Sequence, residues 1–541
     1  MGTPAVTLDF GAARLTPFQH QREDVAVLLQ RPYLFIASEM RTGKSKIVID
    51  GAQFLFEQNV IDRVVVIAPA PVRDVWADDE LGELAKHLWL KTPAVVVEFH
   101  SYGREWVWGL EHAKDRALQF IVTNYEYLIN SHRLKELVKL CDERTLLVMD
   151  ESSYIKNWKS GRTEACKTLR RMCGRVVLLN GTPIFHSPMD LFAQGNMLHP
   201  SILECKYVTH FRSRYAVMEP VKGRDGKALK NDEGYVVEKI NKWVNLDDLQ
   251  RRFAPYTIRR LQKDCLDLPP KLDPVALTVP LTTENWKRYV AMRDEMIVWL
   301  SGGASMSATA AIKVLRLSQI TSGFLSGVQT LEKDEQDDDL FDQIVIGTSG
   351  FETEPPKPEP PPDEIQFFGR EKLDLLLWFL GERLEADELF KVVVWCRFKA
   401  ELARMIEEVS QAFPQFVMGQ VHGGQKKAER MEALKLLHPN TSPNQPVFVG
   451  GTFGTGSFGL NMTAAHTSVT ISTDYSPGKF AQSADRVYGP GQKEPIAYFD
   501  MVATGPKGQK TIDHAIVAAR RAGENIATWT ASAWVKALRK E

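Results

Sequence analysis

An α/β architecture built on two parallel sheets is the fold class this sequence predicts, and three observations carry it. Short apolar runs alternate with helical patterns from residue 15 to about 200. A second alternating block begins near residue 369, beyond an acidic, proline-rich break. In both blocks polar, chemistry-bearing residues follow directly on apolar runs, which is where open parallel sheets present their ligand sites.

In the first block Tyr33–Ala37, Arg63–Ala68, Gln119–Thr123, Thr145–Met149 and Arg175–Leu179 read as buried strands, and residues 1–205 are expected to form one lobe. Residues 206–325 change character and read as a mainly helical insertion. Gly223, Gly226 and the turn Asn231-Asp232-Glu233-Gly234 interrupt it, predicting a β-hairpin near residues 221–238. Residues 326–368 are the acidic break. Its run Glu354-Pro355-Pro356-Lys357-Pro358-Glu359-Pro360-Pro361-Pro362 suits neither a helix nor a central strand and predicts a stiff interlobe connector. Residues 369–510 form the second lobe, with strands expected at Lys391–Cys396, Phe416–His422, Pro446–Gly450, His466–Ser472 and Ile496–Met501. The tail, residues 511–541, reads as amphipathic helix with Trp529 and Trp534 as packing anchors.

Bulk properties narrow the function classes. The 541 residues carry a net charge of −1, 44% hydrophobic and 25% charged side chains, an ordinary globular balance without a global basic field. Six scattered cysteines without a CxxC pair argue against zinc and against a disulfide framework, and fit a reducing compartment. No apolar run approaches a membrane span and the N-terminus lacks a signal-peptide layout, so a cytoplasmic protein without a membrane partner is expected.

Two motifs carry chemistry. Ser38-Glu39-Met40-Arg41-Thr42-Gly43-Lys44-Ser45 stands between an apolar run and a helical pattern, the layout of a phosphate-binding loop. Gly43 admits backbone N–H groups to phosphate oxygens, Lys44 reaches the β/γ-phosphates, and the Ser45 hydroxyl is a Mg²⁺ ligand. Ser38 occupies the place of the pattern's first glycine. Asp150-Glu151 closes the strand Thr145–Met149, and paired acids there are costly without a partner or a task. Beside a phosphate loop, Asp150 reads as the Mg²⁺ ligand and Glu151 as the group that orients or deprotonates a water.

The order of motifs across about residues 15–515 resembles a superfamily 2 helicase core, and more specifically the SWI/SNF-type DNA translocases. Leu15-Thr16-Pro17-Phe18-Gln19 is similar to the adenine-recognising segment, which makes Gln19 the carried-over residue. Arg41 stands where that family has glycine, and Arg41, Thr42 and Gly43 fall in its phosphate loop. Val66-Ile67-Ala68-Pro69 with Trp76, and Thr123-Asn124-Tyr125-Glu126, resemble motifs that lie along DNA. Asp150-Glu151-Ser152-Ser153 with Lys156-Asn157 resembles the acidic signature, with Ser153 in place of histidine. Asn180-Gly181-Thr182-Pro183 is similar to the coupling motif. Ile258-Arg259-Arg260 and Leu268-Pro269-Pro270-Lys271 resemble a segment typical of the SWI/SNF branch. In the second lobe His422-Gly423-Gly424, Arg430 and Gly456-Ser457-Phe458-Gly459-Leu460-Asn461 match in order, as does Gln482-Ser483-Ala484-Asp485-Arg486. A second arginine usual to that last motif is replaced by Gly489, with Arg397 or Lys493 as substitutes.

The resemblance implies two RecA-like lobes, ATP and Mg²⁺ as cofactors, and Gln482 and Arg486 acting with Lys44, Asp150 and Glu151. Gln19, Ser45 and Gly459 join the nucleotide contacts. Thr123, Asn124, Lys156, Gly181, Thr182, His422, Gly423, Gly456 and Asn461 would track a nucleic-acid strand. It implies a monomeric motor on duplex or branched DNA, in replication, recombination or repair, with a bare-motor layout suggesting a prokaryotic or viral source. Phosphate contacts do not choose between sugars, so an RNA track stays open. The insertion at 221–238 is a candidate wedge or protein contact. A partner-activated protein-remodelling ATPase and a nucleotide-gated module without hydrolysis stand as alternatives.

Overall fold

The computed structural model describes residues 8–99, 110, 117–181, 188–221, 227–230, 234–301, 308–326, 365–456, 461–475, 477–490, 492, 494–523 and 536–538. They form two compact units, Met1–Asp267 and Leu268–Glu541. No helix among the described residues is long and apolar enough to cross a membrane.

The first unit is built on β1 (Tyr33–Ile36), β2 (Arg63–Ala68), β3 (Ala94–Glu98), β4 (Leu118–Asn124), β5 (Thr145–Met149) and β6 (Arg175–Leu179). A separate ribbon pairs β7 (Ala216–Pro220) with β8 (Glu238–Trp243) antiparallel, and β9 (Thr257–Ile258) returns to the sheet. The sheet order is β3-β4-β2-β5-β6-β1-β9, with every pairing parallel. Helices cover both faces, so β2, β4, β5 and β6 are buried almost throughout and read as continuous apolar runs. The core gathers Phe35, Ile67, Ile121, Leu147 and Leu178 with Phe192, Phe211 and Phe253.

This order places β5, β6 and β1 side by side. Their carboxyl ends lead into Asp150, Gly181 and the loop before α2 (Lys44–Glu57), which brings three distant motifs to one edge.

The second unit holds β10 (Val275–Pro280), a short antiparallel pair β11 (Phe324–Leu325) and β12 (Gln366–Phe367), then β13 (Lys391–Cys396), β14 (Val417–Val421), β15 (Val447–Thr452), β16 (Thr467–Thr470) and β17 (Ala497–Thr504). Its parallel sheet runs β10-β17-β16-β13-β15-β14. The helix Ile512–Arg521 closes one side, packing Ile512, Ile516 and Ala519 with Leu281, Tyr289 and Leu538.

The domain reading differs from this in three places. The units divide at Asp267–Leu268, so the segment 206–325 is shared between them rather than forming one helical insertion. The reason is β10: Val275, Leu277 and Val279 alternate with Ala276 and Thr278, a strand period, and pair with β17. The proline-rich break accordingly falls within the span of the second unit, and most of it (327–364) lies outside the described residues, as do Trp529 and Trp534. The hairpin is longer than expected. Its stem runs from Ala216 to Trp243 with a bulge between Val217 and Met218, and leaves Tyr235, Val236 and Val237 exposed.

Candidate nucleotide and metal site

The loop after β1 is held in one shape by its own atoms. Gly43 has φ 86°, and a Cβ there would lie 2.1 Å from Gln21 Nε2, so only glycine fits. Arg41 has φ 64°, an unfavourable value for a residue with a side chain, which explains physically why glycine suits that position better. Thr42 Oγ1 donates to Glu39 O at 2.8 Å. The Lys44 ammonium folds over the loop, donating to Ser38 O (3.1 Å) and Glu39 O (3.2 Å). A Cβ on Gly181 would meet Met40 at 2.9 Å and Lys44 Nζ at 3.6 Å, so the turn after β6 backs directly onto the loop. Ser45 is the second residue of α2, whose N-terminal N–H groups and dipole favour an anion.

Helix α1 (Gln19–Gln30) grips the loop from one side. His20 Nε2 lies 2.8 Å and Gln21 Nε2 3.1 Å from Thr42 O; a carbonyl only accepts, so the His20 proton sits on Nε2. Gln21 Oε1 accepts from Phe18 N at 3.0 Å, fixing the amide's orientation. Gln19, the expected adenine contact, is exposed and bonds Glu23 at 3.2 Å. The residue against the loop is Gln21. Its position with Asp24, Val25 and Leu28 on the buried face of α1 is a helical-period signal of an inward-facing residue, a place separate from the adenine contact expected of Gln19.

Asp150 follows β5 and is buried. Trp76, on α3 (Ala70–Ala77), donates from Nε1 to Asp150 Oδ2 at 2.8 Å. Glu151 N donates to Oδ1 at 2.9 Å, and Tyr125 Oη donates to Asp150 O at 2.7 Å. Burial pushes the Asp150 carboxyl up, while the Trp76 bond and then the Lys44 charge favour the ionised form. Glu151 sits at φ 46° and opens the tight turn Ser152–Ile155. A non-glycine residue thus takes positive φ in both loops of the site, a concentration typical of functional turns.

The donor set suits Mg²⁺. A single carboxylate and a hydroxyl at a helix N-terminus match an ion usually held by one or two carboxylates plus phosphate oxygens and waters. Among the described residues no group of three or more His, Cys, Asp or Glu forms a protein-only metal cage.

Trp76→Phe keeps an aromatic side chain, though a smaller one, and removes the donor to Asp150. The Mg²⁺ concentration for half-maximal ATP hydrolysis should rise roughly tenfold, as for other partners that orient a metal ligand. A magnesium titration of the parent and the variant checks this; superimposable curves would remove Trp76 from the site.

The residues assigned to a nucleic-acid track are less uniform. Thr123 is fully buried with its hydroxyl on Phe99 O (2.9 Å), and Asn124 Oδ1 accepts from Tyr127 N (2.8 Å). The Thr123 hydroxyl is thus tied to the chain just beyond the neighbouring strand β3, and the Asn124 side-chain oxygen to its own turn. Lys156 is half-buried at the end of its turn. In the second unit His422 starts the turn after β14, held by Gln425 Oε1 on its N–H (2.9 Å), with Gly423 accepting from the ring. Gly456 ends a short helix after β15, and Asn461 Oδ1 accepts weakly from Thr463 N (3.4 Å). Gln482 lies on the helix Pro477–Ala484 and is half-buried. Arg486 follows it, 4% exposed, its carbonyl accepting from Met462 N. Arg397 lies with its guanidinium 3.7 Å over the Tyr475 ring. Thr182, Gly459 and Lys493 lie outside the described residues.

The SNF2-related domain family matches residues 20–340, more than half of the chain, and the chain belongs to that family. It is 24% identical over 409 residues to the TATA-binding protein-associated factor mot1 of Schizosaccharomyces pombe, covering 73% of this chain and 20% of that protein. It is 24% identical over 490 residues to the transcription regulatory protein SNF2 of Saccharomyces cerevisiae (89% and 26%). With the DNA excision repair protein ERCC-6-like of Mus musculus it shares 23% over 526 residues (91% and 40%). The chain spans between 20% and 47% of the length of the first curated relatives it matches. Among solved structures it is similar to the Sulfolobus solfataricus SWI2/SNF2 ATPase core in complex with dsDNA, at a TM-score of 0.38 and 20% identity over 98% of each chain.

Proposed function

We propose that this protein hydrolyses ATP and uses the cycle to move on duplex or branched DNA. The observation that carries the reading is the convergence of Lys44, Ser45 and Asp150 at the carboxyl ends of adjacent strands β1 and β5–β6. Lys44 and the first turn of α2 bind the β- and γ-phosphates. Ser45 and Asp150 would hold Mg²⁺, which when bound withdraws charge from the phosphate oxygens. Glu151 orients the attacking water and accepts its proton. Arg486, with Gln482 beside it in sequence, is the second unit's cation for the transferring phosphoryl group. Lys156 and the turns at Gly181, His422-Gly423, Gly456 and Asn461 supply contacts to the sugar–phosphate backbone, so binding should be salt-dependent and weakly sequence-specific. Membership in the SNF2-related family supports DNA as the track.

The test is steady-state ATP hydrolysis with single-stranded, duplex and forked DNA and with RNA, at two salt concentrations. Strong stimulation by duplex or forked DNA, weakened by salt, is the expected result. A rate that no nucleic acid changes would overturn the DNA assignment and favour activation by a protein partner.

A further inference from the structure

The segment Ile258–Lys271 ends on chemistry at both sides. At its start it grips the phosphate loop: Ala37 N donates to Ile258 O (2.8 Å) and Glu39 N to Arg260 O (2.9 Å). Arg260 N donates to Ser38 Oγ (3.1 Å), Gln262 N to Glu39 Oε2 (2.7 Å), and Gln262 Nε2 to Met40 O (2.8 Å). The Arg260 guanidinium then bonds Asp24 (2.6 Å) and Glu23 (3.0 Å) on α1, the helix whose His20 and Gln21 hold Thr42 O. Asp24 is fully buried, so Arg260 is the partner that lets its carboxylate stay ionised. Residues 37–42 are therefore gripped from two sides, and Arg260 joins the grips.

At its other end, within the second unit, the segment holds the turn that carries Arg486. Lys271 Nζ lies 2.5 Å from Asp485 Oδ1 and 5.5 Å over the Tyr488 ring, and Tyr488 Oη donates to Pro269 O at 2.6 Å. Asp485 and Tyr488 flank Arg486 on the chain.

We propose that Ile258–Lys271 is a positioning strap: Arg260 and Gln262 set the phosphate loop, and Lys271 sets the turn bearing Arg486. The inference rests on the nucleotide roles of Lys44 and Arg486 given above. Because the loop binds phosphate already in the ground state, disturbing it should act on nucleotide affinity. Because Arg486 acts on charge that develops during transfer, disturbing its turn should act on turnover. The two ends of one segment are then separable by kinetics.

The experiment measures kcat and KM for ATP, and ADP affinity by calorimetry, for Arg260→Met, Arg260→Lys, Gln262→Met and Lys271→Met. Arg260→Met should weaken ADP binding and raise KM roughly tenfold with kcat changed by less than about twofold, and Arg260→Lys should recover part of the loss. Gln262→Met leaves the Asp24 pair intact, so it carries the test if Arg260→Met does not fold; its KM should rise about threefold. Lys271→Met should lower kcat roughly fivefold at unchanged KM. Amide exchange at Ala37 and Glu39 should quicken in Arg260→Met or Gln262→Met and not in Lys271→Met. Lys44→Ala is the control. If it leaves nucleotide affinity and turnover intact, the underlying site assignment fails. If it removes turnover while the strap variants change neither constant, or move both together at both ends, the strap is overturned.

Discussion

Lys44→Ala should reduce ATP turnover by at least about a hundredfold, the scale reached when one donor to developing charge is removed. The ammonium is held over the loop by Ser38 O and Glu39 O, with the Gly181 turn close behind it. It is also a positive charge that helps Asp150 to stay ionised in a buried place. Its loss therefore removes a phosphate contact and raises the proton affinity of the Mg²⁺ ligand in the same step. The fold should survive, because Ser38 O and Glu39 O are loop carbonyls that water can serve in the lysine's absence. A coupled ATPase assay beside a thermal melt checks both halves; undiminished turnover would place the nucleotide elsewhere.

Arg486→Ala should lower kcat by about 10³ or more, with KM for ATP changed only a few-fold. That range is typical for a cation that stabilises a transferring phosphoryl group, and its confinement to kcat follows from charge that appears mainly in the transition state. Gly489 stands where a second arginine would be expected, and Arg397 is stacked on Tyr475. Since Arg486 is nearly buried, alanine also leaves a cavity, so Arg486→Lys belongs beside it. The lysine variant retains a point charge without the planar fork and should recover part of the rate. Single-turnover hydrolysis separates this from slow product release. If kcat stays within about tenfold of the parent in both variants, Arg486 is not that cation.

How far the chain could be read varies with the length over which its signal is written. The strands Arg63–Ala68, Thr145–Met149, Arg175–Leu179 and Lys391–Cys396 are observed with the bounds expected of them, because a strand covered on both faces shows itself as an unbroken apolar run. β3, β9 and β10 are strands beyond those expected. β9 is two residues long, and β10, though its side chains alternate, is largely exposed at a sheet edge. The same difference separates the site residues. Gly43, Lys44 and Asp150 stand in compact motifs, whereas the Trp76 bond to Asp150 spans 74 positions and the Arg260 bond to Asp24 spans 236. No local pattern encodes such a partner. Thr123 is likewise a motif residue whose inward hydroxyl bond, to Phe99 O, spans 24 positions.

By itself, then, the sequence determined the α/β class, the tight strand–loop–helix that carries Gly43 and Lys44, and the buried strand that ends at Asp150, because backbone conformation and burial of short runs are local consequences of residue type. Only the tertiary structure decided that Gln21 meets the loop, that Trp76 bonds Asp150, and that Ile258–Gln262 holds residues 37–40 in place. Those choices depend on which strands lie side by side, and β5, β6, β1 and β9 become neighbours only when crossovers bury both faces of one sheet.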